Sequence, residues 1–88
     1  MKINPQKTGL VGAIMVGGVH VLWSILVALG WAQALVNFSL WAHMVHLNPV
    51  IGPFDLTASV TLVIVAALIG YCVGYMIGEV WNRVHRLA

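Results

Sequence analysis

The stretch Ala66-Ala-Leu-Ile-Gly70-Tyr-Cys-Val-Gly74-Tyr-Met-Ile-Gly78 decides the fold that this sequence predicts. Ala66, Gly70, Gly74 and Gly78 recur at every fourth position, so on a helix they form one stripe without side-chain bulk. In water each glycine would weaken the helix by about 1 kcal/mol relative to alanine. In lipid the same stripe lets a second helix approach until the two backbones touch. The spacing therefore predicts a membrane helix that packs closely against another helix.

The composition excludes an ordinary soluble domain. Hydrophobic residues make up 61% of the 88-residue chain and charged residues only 7%, whereas a soluble domain is about 25% charged. The formal net charge of +2 comes from four Lys and Arg side chains. Nucleic-acid binding needs a basic stripe, which four cations do not supply, so no nucleic-acid partner is expected. The single cysteine, Cys72, permits no intramolecular disulfide.

Two apolar runs are long enough to cross a bilayer. Residues 10–29 and 56–78 contain no charged side chain, and about 20 apolar residues span about 30 Å of hydrocarbon. We predict a cytoplasmic leader at 1–8 and transmembrane helices at 9–32 and 56–81. A cleaved signal peptide is the alternative for the first run, but its apolar part is longer than the usual 7–15 or so residues.

An amphipathic segment separates the two spans at residues 33–48. On a helix its apolar side carries Trp41, and His43 and His46 share another side. Tryptophan prefers the headgroup level of a bilayer, so we expect a helix lying along the interface. Two prolines and a glycine then predict a turn at 49–55.

These segments predict an all-α membrane protein with two transmembrane helices in an antiparallel hairpin and an amphipathic interfacial helix between them. The Lys and Arg residues flank the outer ends of the spans, and the connection contains none. The positive-inside rule then places both termini, including a tail at 82–88, in the cytoplasm. The expected interface anchors are Trp31, Trp41, Trp81, Arg83 and Arg86.

The first span carries small residues of its own. In an antiparallel hairpin they would lie at the depth of the stripe on the second span. The predicted neighbours are Gly9 with Gly78, Ala13 with Gly74, and Gly17 with Gly70. In the alternative arrangement, one stripe serves the hairpin and the other joins copies, and Gly12 and Gly18 leave room for a second interface. Thr8 is the expected N-cap of the first helix.

His20 lies near the middle of the first span, where an ionisable side chain usually faces protein or water. Three roles are open for it. It can exchange a proton in transport, because imidazole titrates near neutral pH, and Ser24, Tyr71 and Tyr75 would then extend the polar path. It can ligate haem or a chlorophyll-type pigment, which for two histidines would need a second copy or a partner. It can also stay neutral and hydrogen-bond Ser24 or the facing helix.

Other chemistry is weakly indicated. His43 and His46 form His-x-x-His, a spacing that on a helix can place two imidazoles on one metal, but two ligands do not complete a site and no metal is predicted. Glu79 and Arg83 have the spacing of a helical ion pair. The sequence shows no nucleophile–base pair, phosphate loop or paired carboxylates, so we do not expect an enzyme.

Three stretches resemble a group of small bacterial two-helix membrane proteins. They are residues 20–33 (HVLWSILVALGWAQ), 41–44 (WAHM) and 70–82 (GYCVGYMIGEVWN). The resemblance implies the two-helix topology and the bacterial inner membrane, and it carries no activity with it.

The first functional hypothesis is a structural or accessory subunit that self-assembles or docks on a larger membrane complex through its small-residue stripes. It needs no cofactor, and its partners are the lipid bilayer, copies of itself or other membrane subunits. A small oligomeric channel or transporter with His20 lining the path is the alternative. Haem or pigment binding through His20 is the third hypothesis.

Overall fold

Three α-helices make up the computed structural model, which describes residues 2–87 with the exception of the residue 87 side chain. The helices are α1 (Pro5–Leu29), α2 (Ala32–Ala42) and α3 (Leu56–Leu87). Helix accounts for 79% of the described residues, which contain no strand. Both α1 and α3 are long and apolar enough to cross a membrane. The predictions of an all-helical chain and of two long apolar helices are therefore confirmed.

The first helix begins four residues before the predicted start of the span. Asn4 is its N-cap, and the side-chain oxygen of Asn4 accepts a hydrogen bond from the Gln6 amide at 2.9 Å. Pro5 follows at the first helical position, where a missing N–H costs nothing. Thr8, the predicted N-cap, lies inside the helix and donates its hydroxyl to the Pro5 carbonyl at 3.0 Å. Half of the predicted leader, residues 5–8, is thus part of α1.

Small residues fill the contact between α1 and α3. The four positions of the α3 stripe are buried, and so are Gly9 and Gly17 on α1. The closest approach joins Gly12 to Gly70, since a Cβ atom built on either glycine would overlap the carbonyl oxygen of the other. The two backbones therefore touch directly, as the stripe requires.

The register of this contact differs from the predicted one by about one helical turn. Gly74 lies against the Thr8 carbonyl rather than Ala13, and Gly78 lies against Thr8 and Pro5 rather than Gly9. Gly70 meets Gly12 and Val16, whereas Gly17 lies beside Ala67. The predicted pairings are wrong because Gly12, which lies off the predicted Gly9–Ala13–Gly17 line, makes the closest approach. In addition α1 begins at Pro5, so the end of α3 meets residues that had been assigned to a non-helical leader.

The large apolar side chains of both helices point away from this contact. Leu10, Ile14, Leu68 and Met76 are between 56% and 66% exposed. Among the described residues the buried hydrophobic side chains are those of Ala32 and Ala66. Small residues thus lie inside and large apolar residues outside, the reverse of a water-soluble helical protein.

The second helix ends earlier than the amphipathic segment predicted. The Met44 amide binds the Trp41 carbonyl at 3.0 Å and the Val45 amide binds the Leu40 carbonyl at 2.9 Å. These two bonds form a Schellman motif, with Met44 in the left-handed conformation at φ 61°. The helix therefore ends at Ala42 instead of residue 48.

Replacing Gly70 by alanine is expected to destabilise the chain by about 2 kcal/mol or more, because a Cβ there overlaps backbone that cannot rotate away. Gly18→Ala is the matched control, since no atom lies within 4 Å of a Cβ at that position. Denaturant unfolding in a mild detergent measures both. Equal stabilities of the two variants would contradict the described contact.

Met44→Gly is expected to stabilise the chain by about 1 kcal/mol, because glycine adopts the left-handed conformation without a Cβ penalty. The same substitution at the exposed Met15, inside α1, serves as the control. It should destabilise by about 1 kcal/mol through glycine's poor helix propensity. Shifts of the same sign in thermal unfolding would refute the assigned helix end.

Candidate functional site

A short chain of polar groups connects α1 to α3 toward the loop end of the contact. The Ser59 hydroxyl donates to the Ser24 hydroxyl at 2.7 Å, and Ser24 donates in turn to the His20 carbonyl at 3.0 Å. All three residues are half-buried. Because each hydroxyl proton has an acceptor, this arrangement joins the helices without leaving an unpaired donor in apolar surroundings. Ser59 was not among the predicted site residues. A single serine in an apolar run has no informative spacing, and its partner Ser24 depends on the register of the two helices.

The imidazole of His20 binds its own helix. Its Nδ1 lies 2.8 Å from the Val16 carbonyl. With the proton on Nδ1 this is a donated hydrogen bond, and Nε2 keeps its lone pair. His43 and His85 make the same contact to the carbonyl four residues back, at 2.6 and 2.9 Å. Histidines within these helices and at the end of α2 thus share one local backbone contact. The contact by itself does not distinguish His20 as a ligand.

The aromatic candidates lie at another depth of the contact. The Tyr71 ring covers Gly9, with Cε2 2.9 Å from the position of a Cβ atom there. Tyr75 is 37% exposed, and its ring centroid is 6.2 Å from that of Tyr71. About 16 Å of helix separates Gly9 from His20 at 1.5 Å per residue. The predicted path residues thus form two separate groups in one chain.

The two loop histidines do not share a helix. His43 follows the last residue of α2, and His46 lies in the segment without regular secondary structure beyond the left-handed Met44. The predicted helical His-x-x-His is therefore wrong, because the helix ends before it. Within the described part of the chain, no group of three or more His, Cys, Asp or Glu side chains could hold a metal ion.

Two carboxamide side chains act as clamps on backbone that lies outside the helices. Gln33 donates to the Pro49 carbonyl at 3.0 Å and accepts from the Ile51 amide at 2.7 Å. Asn82 accepts from the Ile3 amide at 2.7 Å and donates to the Ile3 carbonyl at 2.6 Å. The first clamp fixes the loop to α2, and the second fixes the N-terminal segment to the last turns of α3. Sequence reasoning missed both, because an amide side chain shows no periodic pattern.

The predicted interface anchors are exposed at the two ends of the molecule. Trp31 and Trp41 are 65% and 75% exposed near the loop end. At the other end Trp81 stacks on His85, with ring centroids 4.0 Å apart. Arg83 and Arg86 are exposed on the same turns of α3. Aromatic side chains thus lie at both ends of the apolar helices, the arrangement that membrane interfaces favour.

Comparison of the chain with protein-family models, with curated proteins and with solved structures gives no match. The resemblance to small bacterial two-helix membrane proteins therefore stays a prediction.

The hydroxyl pair is expected to contribute a modest coupling between the helices. In a double-mutant cycle of Ser24→Ala and Ser59→Ala, the coupling free energy should be about 0.6 kcal/mol, typical of interhelical hydrogen bonds in membrane proteins. Ser39→Ala with Ser59→Ala is the control cycle. Ser39 lies on α2, and in the described part of the chain α2 does not pack against α3. A coupling near zero in the first cycle would contradict the observed bond.

Proposed function

We propose that this protein is an integral membrane protein whose α1 and α3 form an antiparallel transmembrane hairpin, and that it serves as a structural or accessory subunit of a membrane assembly. One observation carries the proposal: the large apolar side chains face outward. Within the most apolar stretches, 6% of α1 and 17% of α3 are buried. A soluble protein would bury such faces in its core, whereas lipid solvates them at no cost.

The dimensions and charges support a membrane-spanning arrangement. A helix of the length of α1 extends about 37 Å, enough to cross about 30 Å of hydrocarbon. All Lys and Arg residues lie before Thr8 or after Asn82, and the Asn82 clamp holds these two ends of the chain together. By the positive-inside rule this end is cytoplasmic, in a bacterial inner membrane, and α2 lies at the opposite interface.

A partner would have to dock outside the contact between α1 and α3. The α3 stripe, which the sequence suggested as a docking surface, is occupied by α1 within the chain. Gly18 is different, because no atom lies within 4 Å of a Cβ built there. It lies between the exposed Ile14 and Leu22 one turn away on either side. This dip in the outward face of α1 lets another transmembrane helix approach closely.

The channel and haem or pigment hypotheses both place their chemistry on His20. Within one chain the Gly12–Gly70 contact closes the space between the helices, so a path or a two-histidine site would have to form between copies. No contact in the described chain favours a His20 site between copies over docking of a partner helix at Gly18. The structural role is therefore the better-supported function.

Native mass spectrometry of the protein extracted gently from its own membranes tests the subunit role. We expect a mass above the 9.5 kDa of one chain, either a multiple of it or a mixed complex with other subunits. Gly18→Leu should return the 9.5 kDa species, because the leucine fills the dip that admits the partner. Val19→Leu, at an exposed neighbouring position, should leave the complex intact. A wild-type protein found only as a single chain would refute the subunit role.

Membrane integration is tested separately, by alkaline carbonate extraction of the same membranes. A protein that spans the bilayer stays in the pellet, because its outward apolar faces have no other solvent. Release of the wild-type chain into the supernatant would refute the hairpin proposal. Gly18→Leu should remain in the pellet, since its outward face becomes more apolar.

A further inference from the structure

A notch lies where the N-terminal segment meets the last turns of α3. We call it the terminal notch; its volume is about 450 Å³, and its lining includes Lys2, Glu79, Asn82, Arg83 and Arg86. Three of these side chains are cationic and one is a carboxylate. Three of the four Lys and Arg residues of the chain therefore converge on one cavity.

The fold holds this cluster in place. On α3 the four lining residues are spaced as i, i+3, i+4 and i+7, so they share one face of the helix. Lys2 reaches that face because its neighbour Ile3 makes two hydrogen bonds with Asn82, at 2.7 and 2.6 Å. The missing side chain of Gly78 also admits Pro5, whose Cα lies 3.0 Å from the position of a Cβ there. The cations are thus assembled by specific contacts between distant parts of the chain.

An apolar groove lies on the same turns of α3 as the terminal notch, since Val80 of the groove precedes Arg83 of the notch by three residues, about one helical turn. On the neighbouring face of α3, Val73, Met76, Ile77 and Val80 line an apolar groove of about 500 Å³ that runs toward the same helix end. These side chains are between 49% and 64% exposed. A ligand that fills both sites carries a negative charge at one end and a hydrocarbon chain at the other.

We infer that the terminal notch binds the phosphate of an anionic phospholipid in the cytoplasmic leaflet, with an acyl chain along the apolar groove. This inference rests on the proposed membrane location. Arginine donates paired hydrogen bonds to phosphate oxygens, and basic pockets between transmembrane helices on the cytoplasmic side suit such headgroups. Glu79 opposes the anion and limits the affinity, whereas Asn82 is a positioning residue that holds Lys2 in reach.

The test uses the delipidated full chain in detergent, titrated with phosphatidylglycerol and monitored by native mass spectrometry. Wild-type protein should retain the lipid, and the triple variant Lys2→Gln, Arg83→Gln and Arg86→Gln should bind it on the order of 100-fold more weakly. Lys7→Gln is the matched control, because this exposed lysine lies near the same end but outside the notch lining. Equal losses in the triple variant and the control would overturn the inference.

Two further variants separate a built site from a general attraction to charge. Glu79→Gln should tighten lipid binding several-fold, because it removes the opposing carboxylate. Asn82→Ala should weaken binding, although it changes no charge, because Lys2 is no longer held against α3. Unchanged affinity in both variants would leave only non-specific attraction and overturn the inference.

Control ligands identify the source of the phosphate. Zwitterionic phosphatidylcholine should bind weakly, and millimolar inorganic phosphate should not displace phosphatidylglycerol. Displacement by inorganic phosphate would make the notch a free-phosphate site, and equal binding of phosphatidylcholine would abolish the role of the cations; either result refutes a lipid-headgroup site. Carbonate extraction of the triple variant separates lipid binding from membrane integration. A variant that stays in the membrane but no longer binds the lipid has lost the terminal notch and not the transmembrane hairpin.

Discussion

Direct contact between two backbones is the constraint on which this structure depends. Gly12 and Gly70 meet without an intervening side chain, so the rotation and offset of α1 against α3 are fixed at that point. The same offset brings Ser24 to Ser59 and Ile3 to Asn82. It also forces the large apolar side chains outward, because the space between the helices is too narrow to hold them. Packing, polar contacts and outer surface all follow from one close approach.

The sequence indicated which side of α3 is buried, but it did not indicate the axial offset between α1 and α3. The recurrence of small residues identified the buried line of α3 correctly, because a period of four defines one side of a helix whatever lies opposite. The axial offset depends on which small residue of α1 makes the closest approach, and that residue is Gly12, which lies off the predicted line. The start of α1 was also missed, because the predicted N-cap was Thr8 and the helix is capped at Asn4. One wrong contact residue on α1 therefore shifts every predicted pair along the helix by the same amount.

The polar side chains that stand out in the sequence are not the ones that connect distant parts of the chain. A histidine among apolar residues is conspicuous, but His20 makes the same backbone bond as His43 and His85. The amides of Gln33 and Asn82 form long-range hydrogen bonds, and nothing in their local sequence distinguishes them from solvated residues. Their partners are backbone groups, which every residue has, so only the three-dimensional arrangement reveals them. The end of α2 was hidden for a related reason, since methionine rarely adopts the left-handed conformation of Met44.

The bond between Ile3 and Asn82 spans 79 positions of the sequence, and this has a consequence for biogenesis. Ribosomes add about 5–20 residues per second, so α1 waits roughly 4–16 s before its last partner has been made. Until the α3 residues that cover it have been made, the glycine face of α1 is uncovered and accessible to other proteins. The contact between α1 and α3 can therefore form only after α2 and the intervening loop have been synthesised.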